Sequence, residues 1–264
     1  LWQEKPGEEE NRMRLDGKTV LVTGASRGIG AAIVRALAAA GGAVVVHYGR
    51  SRAAAEGLAA EVGAERCRLV GADLAEPGGA DRLWDGAVGW RGRIDILVNN
   101  AGIYEATPIE GEGPEWTDGW ARTLQVNLVA VADLCRRAVR HFRAGDSGAI
   151  VNIASRAAFR GDAPDYTAYA ASKGGLIALT RTLARAYAKD GILVYAVAPG
   201  FTATEMAEDY MRVPENCARV LGEIPLGAIV PPEEVANVVV FLASGLARHA
   251  TGATIDLNGA SYVR

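Results

Sequence analysis

The feature that most constrains this chain is a cluster of three glycines set between two runs of opposite character. Thr19–Thr23 (TVLVT) reads as a β-strand, because β-branched residues pack well on a pleated surface. Gly24, Gly28 and Gly30 then fall within seven residues. Ile29–Ala40 follows as an alanine-rich helix that Gly41-Gly42 stops. The same alternation recurs down the chain. Strands are predicted at Val44–His47, Arg68–Val70, Ile94–Val98, Ala149–Ile153, Leu193–Ala198 and Thr254–Leu257. Helices are predicted at Arg52–Val62, at about 78–90, 117–143 and 167–189, and at Pro232–Ser244. Strands that are apolar on both faces must be covered on both faces. The expectation is one doubly wound α/β domain, with a parallel sheet of about seven strands between helical layers. Ligands of such sheets bind beyond the carboxyl ends of the strands.

The first loop, Thr23-Gly24-Ala25-Ser26-Arg27-Gly28-Ile29-Gly30, carries two overlapping motifs. Gly24, Ser26 and Gly28 spell G-x-S-x-G, which would make Ser26 the nucleophile of a hydrolase. Such an enzyme needs a histidine on a later post-strand loop, and neither His141 nor His249 has that placement. The third glycine, Gly30, is unexplained by a hydrolase. A phosphate-binding loop explains all three, since glycines let the backbone approach a pyrophosphate at a helix N-terminus. The expected dinucleotide contacts in this loop are Gly24, Ser26, Arg27, Gly28, Ile29 and Gly30.

The end of the second strand reads His47-Tyr48-Gly49-Arg50-Ser51 and lacks the acid that would bond a ribose 2′-OH. Tyr48, Arg50 and Ser51, with Arg27, suit a 2′-phosphate instead, which favours NADP(H) over NAD(H). Asp73 and Leu74 follow the third strand. Asp73 is expected either at the adenine amino group or as a helix N-cap.

Composition narrows the classes. The net charge is −3 and the pI about 5.7, against a nucleic-acid binder that works by a general positive field. The longest uncharged stretches, Ala36–Gly49 and Gly191–Thr204, are 14 residues each and too short to span a bilayer. Cys67, Cys135 and Cys217 have no metal-ligand spacing, so no metal site is expected. They read as thiols of a cytoplasmic protein. Residues 1–12 are polar and are expected to form a disordered leader before Met13.

The chemistry is expected at Tyr169 and Lys173, which share one face of a helix at i, i+4. Ser155 follows the fifth strand, whose loop returns to that helix. An ammonium beside a phenol favours phenolate, and this arrangement predicts a lowered Tyr169 pKa and proton exchange with a carbonyl that Ser155 holds. Only four lysines stand among 28 basic residues, so a lysine kept here is notable.

These pieces together resemble the short-chain dehydrogenase/reductase family over about residues 15–262. The matching segments are TGASRGIG (23–30), NNAG (99–102), Asn127 in LQVNLVA, Ser155, YAASK (169–173) and PGFTAT (199–204). The resemblance implies a Rossmann-type fold and a tetrad of Ser155, Tyr169, Lys173 and Asn127. In it Tyr169 is the acid/base, Lys173 also binds the nicotinamide ribose, and Asn127 positions a relay water. It implies that Asn100, Ala101 and Gly102 lie near the adenosine ribose, and that Pro199, Gly200, Thr202 and Thr204 line the nicotinamide side. It also implies a homotetramer, or a homodimer. Ala260 departs from it, since many relatives carry a second glycine there.

The segment at about 202–224 is expected to cover the substrate, with Met206 and Tyr210 at an apolar pocket and Phe159 and Arg160 reaching the same space. The nearest general resemblance is to 3-oxoacyl-[acyl-carrier-protein] reductases, which implies a carrier-bound substrate. Arg136, Arg137, Arg140 and Arg143 are candidates to dock such a carrier, though cations at a helix C-terminus also complement its dipole. A sugar, polyol or other small-alcohol dehydrogenase is the alternative on the same scaffold. A nucleotide-binding sensor without catalysis is a reading from a different class. No nucleic-acid or membrane partner is expected.

Overall fold

The structure is a computed structural model that describes residues 13–111, 113–145 and 147–264. The leader expected at 1–12 lies outside the described residues, and so does the side chain of Met206.

The strands are β1 (Thr19–Val22), β2 (Ala43–Tyr48), β3 (Cys67–Gly71), β4 (Ile96–Asn99), β5 (Gly148–Ile153), β6 (Ile192–Pro199) and β7 (Thr254–Leu257). They form one all-parallel sheet in the order β3-β2-β1-β4-β5-β6-β7. The chain winds outward from β1 through β2 to β3, then returns and winds the other way from β4. The crevice between β1 and β4 is therefore the switch point, where the loops diverge and leave room for a ligand.

The helices are α1 (Gly28–Ala39), α2 (Arg52–Val62), α3 (Gly79–Arg91), α4 (Pro114–Leu124), α5 (Ala130–Ala144), α6 (Ala157–Arg160), α7 (Thr167–Tyr187), α8 (Glu205–Met211), α9 (Pro214–Gly222) and α10 (Pro232–Ala243). Two cores result, one per sheet face. Ile33, Leu37, Leu58 and Val239 of α1, α2 and α10 meet Val20, Val22, Val44 and Val46. Leu83, Leu134, Phe142 and Leu176 of α3, α5 and α7 meet Leu21, Val45, Leu97 and Ile150. Alternate residues of one strand thus feed opposite cores, which is why β1 and β2 read as unbroken apolar runs.

Two departures from the sequence reading bear on function. The single helix expected over 117–143 is three elements, α4, a π-helical turn at Gln125–Val129, and α5. The segment at 202–224 is folded rather than open, with α8 and α9 joined to the body by a parallel bridge between Thr202 and Val230. No described helix is long and apolar enough to cross a membrane.

Candidate active site

All the predicted site residues on strand ends gather at the carboxyl edge of the sheet. The loop after β1 is packed so closely that only glycine fits. A Cβ at Gly30 would lie 2.3 Å from the Gly24 carbonyl oxygen and 2.6 Å from the Asn100 amide nitrogen. One at Gly24, where φ is +59°, would lie 2.7 Å from the Ala101 Cα. α1 opens here with no side-chain cap and no acid in its first turn, so its leading N–H groups face the crevice. The donors and the dipole fit a dinucleotide phosphate at this position.

Asn100 is tied to the β1 loop rather than projecting from its own. Its amide donates to the carbonyls of Thr23 and Gly24, at 3.0 and 2.9 Å. The Thr23 hydroxyl in turn accepts the backbone N–H groups of Asn100 and Ala101, both at 2.9 Å. Gly102 faces the tetrad, since a Cβ there would lie 3.3 Å from Asn127 Oδ1 and 3.5 Å from Lys173 Nζ. Arg50 is exposed and Tyr48 half-buried at the end of β2, with Ser51 half-buried beside them. Asp73 accepts from the N–H of Ala75 at 2.8 Å and so caps the turn before α3, not α3 itself. Leu74 is buried in the core under α3, so only its backbone faces the loop. Arg27 pairs with Glu205 at 3.6 Å.

Lys173 is 4% exposed, and its ammonium donates to the Ile153 carbonyl at 2.8 Å, where β5 ends. It lies 5.6 Å from the Tyr169 ring centroid. The Ser155 hydroxyl accepts from the Ala157 N–H at 3.1 Å and acts on the Tyr169 phenol to lower its pKa. Asn127 is wholly buried in the π-turn. Its Oδ1 accepts the Ile103 N–H at 2.8 Å, and its Nδ2 donates to the Ile103 carbonyl at 3.0 Å and to the Ser172 hydroxyl at 3.1 Å. A π-turn is an α-helix with one residue inserted, and it leaves a backbone carbonyl without its usual partner. Here it falls on the segment that faces Gly102 and Lys173.

The expected lowering of the Tyr169 pKa is not what this geometry gives. Burial pushes the phenol up to about 12, the Ser155 hydrogen bond pulls it back only in part, and Asp162 adds a further rise. Burial also brings Lys173 down to about 8. Desolvation is the largest cause at both groups, since both charged forms lose water. At neutral pH the site therefore holds a phenol and an ammonium, which is the protonation state of an acid, not of a base.

The polar groups after β6 are largely bonded within the protein. The Gly200 N–H donates to the Leu257 carbonyl at 2.7 Å, and the Thr202 hydroxyl donates to the Gly200 carbonyl at 3.2 Å. Pro199 is buried at the end of β6. Thr204 precedes α8, where its methyl would lie 3.3 Å from a Cβ at Gly28, so the 202–224 segment starts against the phosphate loop.

The described side chains around Tyr169 are a mixture of aromatic and charged groups. Tyr104 packs edge-on against Tyr169 at 4.8 Å between centroids and stacks on Tyr166 at 3.9 Å. Its hydroxyl donates weakly to Asp162, at 3.4 Å. Arg156, next to Ser155, has a side chain only 13% exposed. It donates to the Ser261 hydroxyl at 2.5 Å and lies 3.9 Å from Glu223. Arg160 also reaches Glu223, at 3.3 Å. Phe159 is occupied by the C-terminal segment, with Tyr262 and the Arg264 guanidinium over its ring. Tyr210 packs with Phe201 and Arg219. Sequence reasoning missed Tyr104, Arg156, Thr23 and Ser172. Tyr104 lies two residues after NNAG and Arg156 directly follows Ser155, and proximity to those motifs is the available signal.

Two readings lose their footing. The His141 ring accepts the Ile94 N–H at the amino edge of the sheet, His249 lies in the turn Arg248–Ala250 that precedes β7, and both nitrogens of His47 are bonded to backbone, so none of the three serves Ser26 as a base. Arg137 is paired with Asp81 and Asp85, and Arg143 with Asp190. α5 ends where β5 begins, on the edge opposite the site, so this cluster does not present a carrier to Tyr169.

A family profile described as enoyl-(acyl carrier protein) reductase matches residues 24–259. The chain is 39% identical to a 3beta-hydroxysteroid dehydrogenase 1 of Eggerthella lenta, over 93% of this chain and 94% of that protein. It is 40% identical to a 3-oxoacyl-[acyl-carrier-protein] reductase of Synechocystis, over 93% and 97%. Among solved structures, a putative NAD(P)-dependent gluconate 5-dehydrogenase of Beutenbergia cavernae with bound NADP superimposes with a TM-score of 0.86. The identity is 36%, over 94% of this chain and 98% of that one.

Proposed function

The chain belongs to the short-chain dehydrogenase/reductase family, and on that premise we propose that it is an NADP(H)-dependent oxidoreductase acting on a carbonyl or secondary alcohol, with Tyr169 as the proton donor. The observation that carries the proposal is the buried Lys173 ammonium, fixed to the end of β5 and set 5.6 Å from the Tyr169 ring centroid. When bound, the nicotinamide supplies or accepts the hydride. Ser155 holds the carbonyl oxygen. Tyr169 gives that oxygen its proton, and its raised pKa keeps the proton available at neutral pH. Lys173 holds the ribose and steadies charge on the phenol as the proton leaves. Asn127 keeps the π-turn open for a relay water. Arg50, Ser51 and Tyr48 take the 2′-phosphate, and the absence of an acid at this strand end disfavours NAD(H).

Of the two substrate classes, the mouth favours the small hydroxylated alcohol over the carrier-bound acyl chain. Tyr104 and Asp162 put a phenol hydroxyl and a carboxylate beside Tyr169, groups that suit a hydroxylated substrate. The 202–224 segment covers this mouth. The molecule is a cytoplasmic homotetramer, a reading supported by its unpaired thiols and by exposed Trp116, Val129, Phe241 and Leu246.

The deciding experiment measures NADPH oxidation and NADP+ reduction on ketones, acyl thioesters, keto sugars and polyols, with NADH and NAD+ alongside. Turnover on hydroxylated substrates with NADPH preferred is the expected result. Cofactor binding without turnover on any of them would make the protein a sensor. Light scattering tests the tetramer, and a stable monomer would exclude it.

A further inference from the structure

His47, the fifth residue of β2, has no part in the chemistry above, yet it lies beneath the proposed cofactor loops and is 2% exposed. Its Nδ1 lies 3.0 Å from the backbone nitrogen of Gly24. That N–H is a donor only, so Nδ1 must accept and the ring proton must be on Nε2. Nε2 then donates to the Ala72 carbonyl, 3.0 Å away. The carbonyl of His47 itself accepts the Ala25 N–H at 2.8 Å. Burial lowers the pKa of the ring, which keeps it neutral and in that one tautomer.

The placement matters because β2 lies between β1 and β3. Gly24 and Ala25 belong to the loop after β1, and Ala72 to the loop after β3. One imidazole therefore fixes the distance between the loop that receives the phosphates and the loop that carries Asp73. Gly24 has no slack to absorb a shift, because it is packed against Ala101 and its carbonyl is bonded to Asn100. A displaced Gly24 would carry the NNAG loop with it.

We propose that His47 is a positioning residue for the dinucleotide site, setting the spacing of the β1 and β3 loops and through it the affinity for the adenosine half of the cofactor. The inference rests on the NADP(H) reading. Its test is the dissociation constant of NADPH, by fluorescence titration, for the wild-type protein, His47→Leu, His47→Asn and His47→Gln, together with steady-state kinetics and thermal melting. Asn places an oxygen where Nδ1 stands and keeps the acceptor for Gly24. Gln keeps a donor for Ala72 and leaves the Gly24 N–H unpaired. A buried donor left without a partner weakens binding by about tenfold or more.

The expected result is that His47→Leu and His47→Gln weaken NADPH by about tenfold. KM for NADPH should rise in parallel while kcat at saturating NADPH stays within about twofold, and His47→Asn should recover most of the affinity. If His47→Leu does not fold, the Asn and Gln pair decides the matter alone. Equal affinities for those two, or a loss confined to kcat, would overturn the proposal. Failure of the wild-type protein to bind NADPH would overturn the cofactor reading itself and this inference with it.

Discussion

Around the β1 loop, the buried Thr23 and His47 side chains join loop to loop by hydrogen bonds, Thr23 with Asn100 and Ala101 and His47 with Gly24 and Ala72. On the side of α6, α8 and α9, a backbone bridge between Thr202 and Val230 is supplemented by ion pairs between half-exposed or exposed side chains, Arg160 with Glu223 and Arg27 with Glu205. A buried backbone hydrogen bond resists change because breaking it leaves an unsatisfied group. An exposed ion pair contributes about 0–1 kcal/mol and yields to salt or to a competing anion. The cofactor side is thus built to one shape, and the substrate side can be reshaped by exchanging surface charges. That division suits a family in which one cofactor serves many substrates.

The largest expected effect isolates the chemistry from both sides. Tyr169→Phe should lower kcat by about a thousandfold and leave the NADPH dissociation constant within about twofold. Turnover near wild type would mean another group supplies the proton. Gly30→Ala attacks the rigid side, where the added methyl meets the Gly24 carbonyl and the Asn100 amide. NADPH affinity should fall by about a hundredfold with a lowered melting temperature, as overpacking costs about 1–3 kcal/mol. Unchanged affinity would show that the loop has slack.

The pH profile tests the protonation state. Oxidation needs phenolate, so kcat/KM for the alcohol should rise about tenfold per pH unit from pH 6 and bend near 8, as Lys173 loses its charge. Reduction uses the phenol and should stay flat over the same range. A flat oxidation limb would place the base elsewhere.

Smaller effects are expected on the substrate side. Ala260 adopts φ +64°, in the left-handed region where an L-residue is strained. Ala260→Gly should stabilise the protein by about 1 kcal/mol in thermal unfolding, and no gain would mean that the backbone there relaxes. Glu223→Gln should change stability by less than about 1 kcal/mol and KM for the substrate by about threefold or less, with a weaker salt dependence than wild type. A larger loss would show this joint to be as rigid as the other.

The sheet was legible in the sequence because β-branched runs such as Val44–His47 have few other uses, and the parallel order followed from the helices between them. Of the site, what could be read were the residues carrying short motifs. His47 looked like one more strand residue, because its partners are backbone groups 23 and 25 positions away, which no local pattern records. The pKa of Tyr169 is hidden from the sequence for a related reason. The Tyr169–Lys173 spacing suggests an attraction between the two side chains, whereas the desolvation that sets both pKa values depends on everything packed around them. α8 and α9 were hidden because short helices carry too few turns to show a period.

The π-turn at Gln125–Val129 also acts as a phase shift along the chain. One residue subtends about 100° of a helix. The extra residue therefore turns all of α5 by that angle relative to α4. Leu134, Cys135, Ala138 and Phe142 face the core only because of that offset. A chain shortened by one residue between 125 and 129 would close the turn and swing this row toward solvent. The irregularity beside Lys173 is thereby protected by the packing of a helix that extends more than 20 Å beyond it at about 1.5 Å per residue.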